Sequence, residues 1–201
     1  SHGAVKLTEE QEKARERILK TNKRFSLLYG VTGSGKTEIY IEIIKEGIRH
    51  GEGTIFLVPE VSLTPQMMER FSKEFGENIA IIHSRLTDSE RIKEWERVYR
   101  GEKRIVLGVR SAVFAPVRDL KYIIIDEEQE GTYKQDVTPR YNAKYVAIKR
   151  GENENLKVIL GSATPSVETF NHAETGVFEL VELKSRYAAY SKADIEIINM
   201  K

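Results

Sequence analysis

Gly30-Val31-Thr32-Gly33-Ser34-Gly35-Lys36-Thr37 follows the pattern G-x-x-x-x-G-K-S/T. Glycines at these positions let the backbone turn tightly enough for its N–H groups to converge on an anion. Lys36 is placed to reach the β- and γ-phosphates of a nucleoside triphosphate, and the Thr37 hydroxyl to ligate Mg²⁺. Gly30, Thr32, Gly33, Ser34, Gly35, Lys36 and Thr37 are therefore the candidate phosphate-binding residues. At average residue usage the fixed positions arise by chance in roughly one chain of this length in a hundred, so a plain glycine turn is the weaker reading.

A phosphate loop needs a metal partner and a base. Tyr122-Ile123-Ile124-Ile125-Asp126-Glu127-Glu128 is an apolar run that ends abruptly in acids. Asp126 at its tip suits Mg²⁺, and Glu127 suits orienting and deprotonating an attacking water. A solvated acidic turn has the same composition; the pairing with a phosphate loop favours the catalytic reading. Gly161-Ser162-Ala163-Thr164-Pro165 also follows an apolar run. The hydroxyls of Ser162 and Thr164 could bond to the acidic motif, or simply cap a helix beginning at Pro165.

These residues need strands to aim them. Short apolar runs without alternation occur at 25–29, 54–58, 79–82, 104–108, 122–125, 158–161 and 178–181. Helical spacing falls at 8–20, 36–50, 63–75, 88–100, 142–150 and 166–174. Such runs predict strands buried on both faces, hence a doubly wound α/β domain with a mainly parallel sheet and helices on both faces. Ligands then bind at the carboxyl ends of the strands. The stretch from Gln129 to Arg140 lacks periodicity, and a loop that long in a compact domain is usually functional.

The 201 residues suffice for one well-buried domain and not for two large ones. Ser1-His2-Gly3 reads as a tag remnant, 4–185 as the domain, and 186–201 as a linker with the start of a truncated second lobe. With net charge +1, nucleic-acid binding would have to come from a local patch. There is no cysteine, which excludes disulfides and thiolate zinc sites in this segment and permits a cytoplasmic setting. No apolar run approaches the ~20 residues that span a membrane.

The order of phosphate loop, strand-acid-acid and Ser-Ala-Thr resembles superfamily 2 helicases. More specific runs extend the likeness: Leu57-Val58-Pro59-Glu60-Val61-Ser62-Leu63-Thr64-Pro65-Gln66, Gly108-Val109-Arg110-Ser111-Ala112-Val113-Phe114-Ala115-Pro116, Tyr133-Lys134-Gln135 and Arg140-Tyr141. Over about residues 7 to 186 the chain resembles the first helicase lobe of the PriA family, bacterial primosomal helicases that restart stalled replication forks. The resemblance implies a RecA-like domain using ATP and Mg²⁺ to move 3′ to 5′ along DNA. It also implies an adenine contact by Gln11, for which an exposed helix-start residue is the equal alternative. Pro59, Glu60, Ser62, Thr64, Arg110 and Ser111 would grip the DNA backbone, as hydroxyls, helix-start amides and arginine do. Tyr133, Lys134 and Arg140 would lie in an aromatic-rich coupling loop, where aromatic faces stack bases for about 1–3 kcal/mol each. Packing of the loop onto the sheet is the competing role for Tyr133. Gln129 stands where the family carries His, keeping hydrogen-bonding capacity without a titratable switch; Asn142 likewise stands in place of His.

The implied partners are single-stranded and forked DNA, with primosome and single-strand-binding proteins engaging regions outside this chain. No membrane is involved, and a monomer is expected. Another superfamily 2 translocase, a P-loop kinase or nucleotide switch, and a non-catalytic nucleotide-binding scaffold are the alternatives.

Overall fold

The computed structural model describes residues 6–186. The tag remnant, and the stretch after Arg186 read as a linker with the start of a second lobe, lie outside the described residues. The strands are β1 (Phe25–Gly30), β2 (Gly53–Leu57), β3 (Ile79–Ile82), β4 (Ile105–Gly108), β5 (Leu120–Ile125), β6 (Lys134–Gln135), β7 (Tyr141–Asn142), β8 (Lys157–Ser162) and β9 (Glu179–Leu183). The helices are α1 (Glu9–Lys20), α2 (Lys36–Arg49), α3 (Pro65–Phe75), α4 (Asp88–Tyr99), α5 (Ala143–Glu154) and α6 (Val167–Glu174).

Seven strands form one sheet in the order β3-β4-β2-β5-β8-β1-β9, every adjacent pair parallel. The continuous apolar runs are explained by burial on both faces. Successive residues of β2 and Val58 just after it diverge: Ile55 and Leu57 join a core under α4, α5 and α6, whereas Phe56 and Val58 join one under α1, α2 and α3. Phe56 packs between Tyr40 and Phe71, with ring centroids 5.2 and 5.5 Å away. Burying a side chain of that size contributes about 1.5–3 kcal/mol.

Helix starts follow the sequence closely. Thr8, Thr64, Thr87, Asn142 and Ser166 each accept a first-turn N–H and cap α1, α3, α4, α5 and α6. Asn142, read as a substitute for His, thus has a structural task. Helix α2 differs: its cap is Gly35, at φ 84°, with no side-chain cap bond. Its first-turn amides are left as donors for an anion. Helix α5 runs on to Glu154, beyond its expected end, and its Gly151 packs against Val158 and Phe25 where a side chain has no room, so this glycine serves close packing and does not end the helix. The unpatterned stretch from Gln129 is ordered too: a 3₁₀ turn at Gly131–Tyr133 leads into the antiparallel pair β6–β7. Two-residue strands are too short to show a period in sequence.

Candidate nucleotide site and adjoining cleft

Because β5, β8 and β1 are neighbours, their carboxyl ends bring the phosphate loop, Asp126-Glu127 and Ser162 to one place. A pocket of about 300 Å³ lies there, lined by Thr32, Gly33, Gly35, Lys36, Thr37, Glu38, Arg70, Asp126 and Glu127. Gly33 and Gly35 take the left-handed backbone that the loop requires. Ser34 is buried and its hydroxyl makes no hydrogen bond among the described residues.

Lys36 is buried and donates to the Gly30 carbonyl at 2.7 Å. Burial lowers its ammonium pKa below the ordinary value, against the opposing pull of Asp126 and Glu127. Burial pushes the Asp126 carboxyl up, while the Tyr40 hydroxyl, donating to Oδ1 at 2.9 Å, holds it back. That bond depends on Gly161, where a Cβ would sit 1.6 Å from the Tyr40 oxygen. The donor set fits a magnesium-bound triphosphate: a cation, free helix-start amides, and a hydroxyl and a carboxylate as hard oxygen ligands. Among the described residues no three His, Cys, Asp or Glu cluster to hold a metal unaided. Mg²⁺ shared with phosphates does not need such a cluster.

The Tyr40 bond makes a prediction. Tyr40→Phe removes a donor to a carboxylate and lowers unfolding free energy by about 1.5–3 kcal/mol at neutral pH. Asp126 has a raised native pKa, so its ionised form weakens the fold, and the bond is stronger to the ionised carboxylate than to the protonated acid. The difference from the parent should therefore shrink as pH falls through that raised native value. Urea unfolding at neutral and acidic pH measures it; a pH-independent difference contradicts this role.

Glu127 occupies the left-handed region at φ 49°, a strained conformation for a non-glycine residue. Its carboxylate accepts from Gln129 Nε2 at 2.8 Å, Gln129 Oε1 accepts from the Ser162 hydroxyl at 2.6 Å, and Ser162 Oγ accepts from Thr164 N–H at 2.9 Å. Gln129, Ser162 and Thr164 thus form one chain of bonds ending at Glu127, and Gln129 supplies the bonding capacity its sequence position requires.

Gln11 is buried, not exposed. Its Oε1 accepts from Thr8 N–H at 2.9 Å and its Nε2 donates to the Ser34 carbonyl at 3.2 Å, tying α1 to the phosphate loop.

A second cleft, about 370 Å³, opens beside the nucleotide pocket at the ends of β2 and β4, lined by Pro59, Glu60, Arg110, Ser111, Tyr133 and Gln135 among others. Arg110 donates to the carbonyls of Thr132 and Lys134 at 3.1 and 3.0 Å, so it braces the loop and makes no surface ion pair among the described residues. Ser62 closes the short turn after Pro59 through its N–H, and the Thr64 hydroxyl caps α3. Lys134 pairs with Asp136 at 3.3 Å, and Arg140 is exposed where the chain returns to β7.

Tyr133 requires a correction. It is only 2 % exposed, and its hydroxyl donates to the Asp126 carbonyl at 2.5 Å and the Leu57 carbonyl at 3.3 Å. The ring is packed against the sheet and offers no face to a base; burial and Asp126 also keep the phenol protonated. The likeness to an aromatic-rich coupling loop implied a stacking role, yet the hydroxyl is what pins the loop to the ends of β2 and β5. Tyr133→Phe should cost about 1–3 kcal/mol by taking the hydroxyl donor from the Asp126 carbonyl, while the Leu57 carbonyl keeps the Asp126 N–H at 3.0 Å. Chemical denaturation reads this directly, and an unchanged midpoint contradicts it.

Sequence reasoning missed Tyr40, which looked like one more apolar position of α2. It also missed Glu128, whose carboxylate is buried against Lys144 Nζ at 3.0 Å, Ser166 N–H at 2.7 Å and Thr169 Oγ1 at 3.0 Å. The third acid after β5 therefore fastens α5 and the start of α6. Trp95 is partly buried against the core, and His83 Nδ1 accepts from Arg85 N–H in a local turn.

Comparison with known proteins agrees with this geometry. The model of the DEAD/DEAH box helicase family matches residues 8–172. Replication restart protein PriA of Bacillus subtilis is 48% identical over 199 residues, covering 97% of this chain and 25% of that protein. The Chlamydia pneumoniae protein of the same name is 43% identical, covering 95% of this chain and 26% of its own length. The chain thus spans about a quarter of the length of these curated relatives. Among solved structures, RecG bound to a three-way DNA junction superposes with TM-score 0.65 at 24% identity, covering 90% of this chain and 24% of that one. The Hef helicase domain of Pyrococcus furiosus gives 0.60 at 19% identity, covering 87% and 37%. These two likenesses establish the fold. With the family model spanning the phosphate loop, the acidic motif and Ser162–Thr164, the chain belongs to the DEAD/DEAH box helicase family, and its sequence relatives there are PriA proteins.

Proposed function

We propose that this chain is the first ATP-binding lobe of a DNA helicase that couples ATP hydrolysis to 3′-to-5′ translocation in replication restart. One observation carries the reading: the nucleotide pocket and the second cleft share one sheet edge and are joined through the end of β5. Asp126 faces the first pocket with its carboxylate, and its carbonyl receives the Tyr133 hydroxyl at the wall of the second. Single-stranded DNA is the proposed occupant of the second cleft, its backbone meeting Arg110, Ser111 and the Pro59–Ser62 turn. Such contacts are sequence-independent and weaken with salt.

Mg²⁺ bound with ATP would neutralise charge that develops on the phosphates. Lys36 and the first turn of α2 would hold the phosphates, Thr37 and Asp126 would hold the metal, and Glu127 would orient and deprotonate the attacking water. Gln129, Ser162 and Thr164 report the state of Glu127 to α6. An arginine finger from a second lobe can contribute 10³–10⁵ in rate, so this lobe alone binds nucleotide weakly and hydrolyses it negligibly. Forked DNA, primosome proteins and single-strand-binding proteins are proposed partners of the complete protein, acting in the cytoplasm as a monomer. Among the described residues no helix is long and apolar enough to cross a membrane.

The test is ATP turnover by a protein carrying both lobes, with and without single-stranded DNA, beside this chain alone. DNA-stimulated turnover confined to the two-lobed protein supports the proposal. Robust turnover by this chain alone contradicts it.

A further inference from the structure

Arg70 and Glu38 belong to none of the motifs above. Arg70 is on α3, whose capped first turn, Thr64–Gln66, ends the segment read as a DNA grip. Its guanidinium pairs with the Glu38 carboxylate. Glu38 directly follows Thr37 in the first turn of α2, and both partners line the pocket with Lys36, Asp126 and Glu127. The pair therefore bridges two helices, one starting at the phosphate loop and the other following the Pro59–Ser62 turn, whose Pro59 and Glu60 line the second cleft. It also places a second cation at the pocket wall besides Lys36. A guanidinium presents a planar fork of donors that matches phosphate oxygens as well as it matches a carboxylate. Glu38 and a terminal phosphate thus compete for one partner.

We infer that Arg70 is a phosphate-binding residue of this site, its guanidinium passing from Glu38 to the terminal phosphate of a bound triphosphate and so linking the nucleotide to α3. The inference rests on the nucleotide reading of the pocket. It gives α3 a contact that distinguishes triphosphate from diphosphate.

Calorimetric titration of this chain with magnesium-bound ADP and a non-hydrolysable ATP analogue tests it. Arg70→Ala should weaken the triphosphate about tenfold more than ADP, the value of one charge-assisted bond. Glu38→Gln should strengthen the triphosphate by removing its competitor, and that gain should vanish in the Glu38→Gln, Arg70→Ala double variant. Arg70→Lys keeps the charge and loses the fork, so it should fall between. Equal losses for the two nucleotides in Arg70→Ala overturn the inference, as does a Glu38→Gln gain that persists without Arg70. If Arg70→Ala does not fold, an Arg70→Lys variant that binds both nucleotides like the parent overturns it. Lys36→Ala separates the two readings: if it leaves nucleotide affinity intact, the nucleotide site itself is misplaced and the inference falls with it.

Discussion

Glu127→Gln abolishes ATP hydrolysis by a two-lobed protein carrying this lobe, by about 10²–10⁴-fold, the range a positioned general base supplies. Nucleotide affinity is retained, because phosphate and metal contacts come from the loop, Thr37 and Asp126. The substitution is nearly isosteric. Its amide oxygen can still accept from Gln129 Nε2, which lies 2.8 Å from the present carboxylate, so the chain of bonds to Ser162 survives. The backbone at Glu127 stays where its φ of 49° holds it. Single-turnover kinetics beside a binding titration separates the effects. Hydrolysis within a few-fold of the parent removes Glu127 from the base position, and a matching loss of nucleotide affinity shows it acting in binding instead.

Lys144→Met destabilises the chain by about 3–5 kcal/mol, the cost of stripping the partner from a buried charge. The Glu128 side chain is fully buried, and its bonds from Ser166 N–H and Thr169 Oγ1 remain after the change. Those neutral donors do not balance a full charge. Glu128→Gln added to Lys144→Met removes that charge and keeps most of the bonding geometry, so the double variant should recover most of the loss. Urea unfolding of the four proteins gives the coupling energy. A loss below about 1 kcal/mol for Lys144→Met, the range of an exposed pair, refutes the claim that this pair fastens α5 and α6 to the acidic motif.

The parallel sheet was legible because burial on both faces leaves unbroken apolar runs, and Ile123-Ile124-Ile125 is such a run ending in acids. The nucleotide site was legible because its loop binds with backbone, whose geometry demands glycine at fixed spacing. The Ser162 hydroxyl could be expected to meet the acidic motif from its place after an apolar run, whereas the Gln129 bridge to Glu127 and the use of Thr164 through its N–H could not. What stayed hidden depends on long-range side-chain contact. Tyr40 reaches Asp126 across 86 positions of sequence only because position 161 lacks a side chain, and no local pattern records that. Tyr133 and Glu128 were hidden for a related reason: polarity in a loop suggests exposure, whereas both are buried with their polar atoms bonded. Arg70 carries no signal at all beyond being one charged residue on an amphipathic helix.

The central claim is that one sheet edge carries two separable sites, one for nucleotide and one for single-stranded DNA. Titrating this chain and its Lys36→Ala variant with a labelled ATP analogue and with labelled single-stranded DNA tests it most directly. The account predicts that Lys36→Ala loses nucleotide affinity while its DNA affinity, and the dependence of that affinity on salt, stay those of the parent. Parallel loss of both ligands, or nucleotide binding that survives without Lys36, would contradict it.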